Sequence, residues 1–193
     1  MNNHLERDLR LVYGAYEYLR AHDLSDLSTT SHLLREGNLA YLARRVSDEL
    51  GELRGAVAGT HGHGGNRRDD VALEAYQSVY WLIVLAVAAG DRYDDLRSHE
   101  APARVDSPAA APCALPELDA RDAGIRRDFM ARGFAAIGAA CRQAGVPVED
   151  AVRRDLRELR SKDYLAAYWG ATDGPATADR RGDASHDGRE HER

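Results

Sequence analysis

The sequence contains very little cysteine, lysine and phenylalanine, and it has no surplus of basic charge. Only two of its 193 residues are cysteines, Cys113 and Cys141, which excludes a disulfide framework. Of the 26 basic residues, 25 are arginine, and Lys162 is the single lysine. The formal charge at pH 7 is −6, so we expect no nucleic-acid partner and no attraction to an anionic membrane. A ligand that carries phosphate therefore needs locally placed arginines or a bridging cation.

Long apolar stretches are also missing. The longest apolar run, 79–89, is shorter than the roughly 20 residues that a membrane-spanning helix needs. Residues 2–10 are strongly polar, and we therefore expect no leader peptide. The chain is 44% hydrophobic and 30% charged, which is ordinary for a globular protein. These features predict a cytoplasmic protein with no membrane partner.

Apolar residues recur at helical spacing along the chain, whereas the alternation typical of β-strands is not found. The spacing predicts helices over 3–22, 38–57, 69–89 and 120–144, and a further helix that begins at Pro147. Residues 23–36 are rich in Asp, Ser and Thr, which favour turns, so we predict a loop with one short turn near Leu33. The second half of the 69–89 helix is apolar on nearly every side and should be the most buried.

Proline is concentrated in one segment. Four of the six prolines lie among alanines within 100–119, which predicts an extended linker there. We therefore expect an all-α protein: a helical bundle over 1–99 built on an antiparallel helix pair, and a two-helix C-terminal extension over 120–170. Residues 171–193 have no periodicity and are predicted to be disordered.

Several polar residues occupy helices that otherwise carry apolar side chains. Glu49 and Glu52 are three residues apart and share one helix face. Asp70, Glu74 and Gln77 form one polar line on the next predicted helix. An antiparallel pair would bring the two sets together, where like charges at about 4 Å repel by roughly 4 kcal/mol per pair at an effective dielectric constant near 20. Such a cluster becomes protonated, pairs with arginine or binds a hard cation, for which oxygen ligands suit Mg²⁺ or Mn²⁺.

The same residues also fit a simpler interpretation. Acids on amphipathic helices are usually solvated, and arginines are close by in the sequence, at Arg44, Arg45, Arg54, Arg67 and Arg68. His61 and His63 lie in the turn G-T-H-G-H-G-G, where an H-x-H pair with no third ligand is more typical of an exposed turn than of a metal site. Arg157, Arg160 and Lys162 are predicted phosphate contacts, with a solvated helix face as the alternative.

The motif E-L-G-E-L on one helix, followed by E-A-Y-Q-S-V-Y-W-L-I-V-L-A on the next, resembles the MazG-like and phosphoribosyl-ATP pyrophosphohydrolases. These all-α enzymes share the pattern E-x-x-E, a variable spacer and E-x-x-D, and the resemblance covers about residues 37–97. It implies that Glu49, Glu52 and Glu74 are metal ligands, and that one of the glutamates orients or deprotonates water. The sequence departs from the pattern at Gln77, where the family has Asp. Gln77 remains a candidate metal ligand, because its carbonyl oxygen can coordinate an ion, but without charge. Asp70, one turn before Glu74, is a candidate substitute.

The resemblance also implies a function and an assembly. It implies a nucleotide pyrophosphohydrolase that depends on Mg²⁺, with Mn²⁺ as an alternative, and that cleaves a nucleoside triphosphate or a related phosphoribosyl nucleotide to the monophosphate and pyrophosphate. It implies a homodimer or homotetramer whose sites are completed by neighbouring subunits. The alternative is a non-catalytic helical oligomer that binds nucleotide or a partner protein, its metal site weakened by Gln77.

Overall fold

A computed structural model of the chain describes residues 3–96, 98–103 and 120–173. Every regular element in these ranges is helical, which confirms the prediction of an all-α protein. The elements are α1 (Asn3–Ala21), α2 (Thr29–Glu36), α3 (Leu39–Ala58), α4 (Arg67–Ala89), α5 (Tyr93–Leu96), a 3₁₀ turn (Ala101–Ala103), α6 (Ala123–Ala144), α7 (Val148–Arg160), a second 3₁₀ turn (Asp163–Leu165) and α8 (Ala166–Thr172).

Side-chain caps define the bounds of α3 and α4. The Oδ1 atom of Asn38 accepts a hydrogen bond from the backbone N–H of Tyr41 at 3.1 Å, as predicted for a helix that begins here. Asn66 caps α4 in the same way: its Oδ1 atom accepts a hydrogen bond from the backbone N–H of Asp69 at 3.0 Å. Gly59 ends α3 with φ of 77°, a left-handed conformation that glycine adopts without steric cost. The histidine-containing turn therefore joins two firmly capped helices.

Helix α2 was not expected, and the prediction of a loop over 23–36 is wrong for its second half. Ser28 caps this helix by accepting a hydrogen bond from the N–H of Ser31 at 3.2 Å. The hydroxyl of Ser31 donates to the carbonyl of Leu19 at 2.8 Å, which ties α2 to α1. The serines that indicated a loop thus serve as a cap and as a tertiary contact.

Helix α4 lies at the centre of the fold, as its apolar sequence predicts. It packs against α1, α2, α3, α6 and α7. By length and composition it is also apolar enough to cross a membrane. However, 67% of its apolar 18-residue stretch is buried inside the fold. Leu82 and Leu85 are fully buried, and they share one hydrophobic core with Leu9 of α1 and Phe129 of α6. Burial of an apolar helix by its neighbours on several sides is typical of the core helix of a globular protein.

The predicted linker and C-terminal tail lie mostly outside the part of the chain that the structure describes. Residues 104–119 and 174–193 lie outside the described residues. The beginning of the predicted linker forms the Ala101–Ala103 turn, which packs on α6. Within α6, Phe129 and Ile137 are buried, whereas Ile125 in the first helical turn is 43% exposed.

Two buried carboxyl groups connect elements that are distant in sequence. Asp91 accepts two hydrogen bonds from the guanidinium of Arg126, at 2.5 and 2.7 Å. Asp155 of α7 accepts a hydrogen bond from the phenol of Tyr16 of α1 at 2.7 Å. Burial raises the pKa of Asp155 to about 7, because the ionised carboxylate loses its hydration. Asp91 is thus paired with a cation, whereas Asp155 is held by a neutral phenol.

Candidate metal site

The structure brings together three of the predicted acids. Glu49 and Glu52 of α3 and Glu74 of α4 each place a carboxylate oxygen so that the three atoms lie within 4.8 Å of one another. Glu49 is 3% exposed and Glu74 is fully buried, whereas the side chain of Glu52 is 42% exposed. Buried like charges this close require a compensating cation, a proton or hydrogen-bond donors.

Gln77 supplies donors to this cluster. Its amide nitrogen is assigned to the side that faces the acids, because an oxygen there would meet only other acceptors. In that orientation it donates to Oε2 of Glu49 at 2.9 Å and to Oε2 of Glu74 at 3.2 Å. Gln77 therefore lies within the cluster, as its spacing predicts, and it contributes a neutral amide where the pyrophosphohydrolase pattern has a carboxylate.

Asp70 lies beside the cluster and holds the turn between α3 and α4. Its Oδ1 atom accepts a hydrogen bond from the backbone N–H of His63 at 2.9 Å. Asp70 belongs to neither of the sets of converging ligand atoms found among the described residues. The structure thus gives this residue a contact with the turn, whereas its helical spacing predicted a metal ligand.

His61 and His63 reach the cluster, although the sequence favoured an exposed turn. The Nε2 atom of His63 lies 2.5 Å from Oε1 of Glu74, and Nε2 of His61 lies 3.3 Å from the same oxygen. The hydrogen bond to Glu74 is the main cause that raises the pKa of His63. The sequence signal for this contact was the pair of histidines among glycines in G-T-H-G-H-G-G. Their contact with Glu74 depends on how the turn folds back over α4, which the sequence pattern does not specify.

Arg45 binds one of the clustered acids, Glu49. Its guanidinium donates to Oε1 of Glu49 and lies over the ring of Trp81, 4.9 Å from the ring centroid. Burial raises the pKa of Glu49, and the charge of Arg45 opposes this effect. The arginine pairing that the sequence left open therefore exists for one member of the cluster, while Glu74 is contacted by the histidines and Gln77.

A cavity of about 420 Å³ lies next to the acids. It is lined by Arg45, Glu49, Glu52, His63, Tyr76, Gln77, Tyr80 and Trp81. Acids, one arginine and three aromatic rings thus border the same space. Such a lining provides separate surfaces for a charged group and for a planar apolar group.

The three predicted phosphate contacts have other positions. Arg160 binds Asp173 at 2.8 Å and lies over the ring of Trp169, while Lys162 is 4.0 Å from Glu158. Neither these two nor Arg157 is among the described residues that line the cavity. From the same helix it is Arg154 that lies over the ring of Tyr76, with its guanidinium 4.8 Å from the ring centroid.

Comparisons of the chain with protein-family models, curated proteins and solved structures gave no match. The resemblance to pyrophosphohydrolases remains a prediction from the sequence. Three converging carboxylates form a donor set that fits a hard divalent cation, since such ions prefer several oxygen ligands and compensate clustered negative charge.

Proposed function

We propose that this chain is a Mg²⁺-dependent nucleotide pyrophosphohydrolase that converts a nucleoside triphosphate, or a related phosphoribosyl nucleotide, to the monophosphate and pyrophosphate. The observation that carries the proposal is the convergence of Glu49, Glu52 and Glu74 beside a cavity with aromatic walls. The resemblance of the E-x-x-E segment and the following helix to pyrophosphohydrolases points in the same direction. Mn²⁺ is the alternative ion.

An antiparallel arrangement of α3 and α4 underlies the proposed site. Arg67 near the start of α4 donates to the carbonyl of Val57 near the end of α3. Further along α4, Trp81 meets Arg45 near the beginning of α3. The contacts therefore run in opposite order along the two helices. This order supports the pairing through which Glu49 and Glu52 face Glu74.

The three glutamates would hold the ion. A bound Mg²⁺ supplies positive charge that polarises phosphate oxygens and stabilises the charge that develops on them. Glu49 and Glu74 are buried, so their side chains are held in place as ligands. Glu52 is the more exposed carboxylate, and it borders the cavity. We assign to Glu52 the orientation of the attacking water and the acceptance of its proton.

The remaining lining of the cavity fits the other parts of a nucleotide. Arg45 borders the cavity, where its guanidinium pairs with Glu49 and, at 3.8 Å, with Asp48; a phosphate oxygen would replace the longer contact with Asp48. Tyr80 and Trp81 provide aromatic surfaces on which a base can stack. We further propose a cytoplasmic homodimer or homotetramer in which a neighbouring subunit closes the cavity.

The proposal is tested by incubating the purified protein with a panel of nucleoside triphosphates and Mg²⁺ and measuring pyrophosphate. We expect turnover in the wild type and a loss of roughly 10²-fold or more in Glu52→Gln, as for removal of a general base. Glu49→Gln should require more Mg²⁺ for half-maximal rate, because a ligand loses its charge. Glu36→Gln, which alters an exposed acid at the end of α2, is the matched control and should retain the wild-type rate.

A second candidate is a non-catalytic helical oligomer that binds nucleotide or a partner protein. The neutral amide of Gln77 favours it, since the site has one carboxylate fewer than the pyrophosphohydrolase pattern. In that case calorimetry should detect nucleotide binding while the pyrophosphate assay shows no turnover at any Mg²⁺ or Mn²⁺ concentration. Turnover that is unchanged in both Glu49→Gln and Glu52→Gln would contradict the assignment of the active site.

A further inference from the structure

We propose that the turn between α3 and α4 forms a second metal site, in which His61, His63 and Glu74 bind a divalent transition-metal ion such as Zn²⁺. One ligand atom from each of these residues lies within 4.8 Å of the other two. Two of the three atoms are imidazole nitrogens, which distinguishes this set from the all-carboxylate group of Glu49, Glu52 and Glu74. The proposal does not depend on nucleotide hydrolysis, because it concerns metal binding by the protein alone.

One of the two histidine-to-glutamate distances matches the spacing between ligands of a coordinated ion, and the other is shorter. His63 Nε2 and His61 Nε2 lie 2.5 and 3.3 Å from Oε1 of Glu74. Ligands at about 2.0–2.1 Å from a tetrahedral zinc ion are roughly 3.4 Å apart. The His61 distance already matches this spacing, and His63 is 45% exposed at its side chain, so its ring has room to move outward by the small amount required.

The Nε2 atom of His61 gives a second, independent indication of a ligand. This atom is buried and makes no hydrogen bond, although the side chain as a whole is 34% exposed; its nearest carboxylate oxygens, of Glu74 and Glu52, lie at 3.3 and 3.7 Å. Buried polar atoms without a partner are uncommon, because they lose hydration and gain nothing in return. Coordination of a metal ion by the neutral imidazole would give this nitrogen the partner that it lacks.

The backbone around the histidines has the features of a shaped turn. A Cβ atom on Gly55 would lie 2.7 Å from Cβ of His61, and one on Gly62 would lie 2.8 Å from Oδ2 of Asp70. Gly55 therefore leaves room for the turn to approach α3, whereas an added methyl group at Gly62 would push aside the carboxylate of Asp70. Asp70 in turn accepts a hydrogen bond from the N–H of His63 at 2.9 Å. These contacts hold the turn that carries both histidines next to Glu74.

The donor set determines the class of ion. Two imidazoles and one carboxylate with open positions suit Zn²⁺ and similar first-row ions, whereas Mg²⁺ binds imidazole poorly. Glu74 presents Oε1 to the histidines and Oε2 to the amide of Gln77, on the side of Glu49. Glu74 is thus positioned to bridge a transition-metal ion in the turn and a hard ion between the carboxylates.

The test uses the full-length protein, stripped of metal by chelation and free of nucleotide. Titration calorimetry with Zn²⁺ and visible absorption with Co²⁺ as a spectroscopic substitute measure binding and ligand type. We expect one tight Zn²⁺ per chain that excess Mg²⁺ does not displace. His61→Ala and His63→Ala should each weaken binding at least about tenfold, and the double variant should lose the intense Co²⁺ bands of a four-coordinate site.

Two further variants keep the test specific. His32→Ala removes an exposed histidine of α2 and should bind Zn²⁺ like the wild type. Gly62→Ala changes no ligand but disturbs the approach of the turn to Asp70, and it should weaken Zn²⁺ binding while thermal unfolding shows a folded protein. Wild-type Zn²⁺ affinity in the His61→Ala/His63→Ala double variant would overturn the proposal. Absence of nucleotide turnover would leave it intact and would count only against the pyrophosphohydrolase function.

Discussion

The side-chain nitrogen of Gln77 lies 2.9 Å from Oε2 of Glu49 and so connects α4 to α3 at the carboxylate cluster. Its second contact, at 3.2 Å, is with Glu74. A neutral donor between two acids lowers their mutual repulsion and satisfies their lone pairs while no metal is bound. A carboxylate in this position would provide a further anionic ligand but would remove both hydrogen bonds. Gln77 therefore favours the metal-free fold over tight metal binding.

Gln77→Asp should make the protein less stable without metal and more responsive to Mg²⁺. We expect a loss of roughly 1–3 kcal/mol in the free energy of unfolding with a chelator present, because two buried acceptors lose their donor. Added Mg²⁺ should restore stability by more than it does in the wild type, since the variant has an additional charged ligand. Urea unfolding with chelator and with Mg²⁺ measures both effects. Gln143→Asp, at an exposed position of α6, should show no gain from Mg²⁺, and an equal gain there would indicate non-specific ion binding.

Arg45→Ala should weaken nucleotide binding by about tenfold, which corresponds to about 1.4 kcal/mol. The guanidinium of Arg45 borders the cavity beside Trp81, where it can bind phosphate. Calorimetric titration with a non-hydrolysable nucleotide in Mg²⁺ measures the change. Arg44→Ala is the matched control, because Arg44 also lies over an aromatic ring, that of Tyr41, but does not line the cavity. Equal losses in the two variants would point to a general effect of charge.

Because of Asp155, the free energy of unfolding should fall as the pH rises from about 4 to about 7. Burial raises the pKa of this carboxyl to about 7 in the folded protein, whereas an unfolded aspartate has a pKa of about 3.9. Between these values the folded state binds more protons than the unfolded state, so the free energy of unfolding falls with increasing pH. The full difference of about 3 pKa units corresponds to at most about 4 kcal/mol.

Asp155→Asn removes this titration and retains an oxygen that can accept the hydrogen bond from Tyr16. The variant should therefore be more stable than the wild type at pH 8 and should lose most of the difference in stability between pH 5 and pH 8. Urea unfolding at the two pH values gives the comparison. Asp150→Asn changes a carboxyl of the same helix whose side chain is 54% exposed, and it should keep the wild-type pH dependence. A wild-type slope in Asp155→Asn would show that Asp155 is ionised in the folded protein.

The parts of the structure that follow from local sequence were predictable. Asn38 and the glycine-rich turn mark the ends of α3, and the apolar composition of α4 indicates its central position. The spacing of Glu49 and Glu52 places both on one helix face, and helix pairing then brings them to Glu74. Each of these inferences needs only the helical repeat and one contact between consecutive helices.

The contacts that were missed depend on the tertiary path of the chain. His61 and His63 reach Glu74 only because the turn folds against both helices through close approaches at Gly55 and Gly62. The position of Arg160 depends on Asp173, which no periodic pattern pairs with it. Helical periodicity identifies a face, but it does not specify which distant segment covers that face.

Gly138 provides a test of such long-range packing. A Cβ atom at this position of α6 would lie 2.6 Å from Cα of Pro102, in the 3₁₀ turn Ala101–Ala103. Gly138→Ala should therefore displace the turn from α6 and lower the free energy of unfolding by roughly 1–3 kcal/mol, as in an overpacked core. Gly170→Ala places the same methyl group in α8, where nothing lies within 4 Å, and it should stabilise the protein by up to about 1 kcal/mol through helix propensity. Urea unfolding of both variants separates steric contact from intrinsic preference, because propensity alone predicts a gain at both positions. A gain in Gly138→Ala would mean that the Ala101–Ala103 turn does not pack closely on α6 in solution.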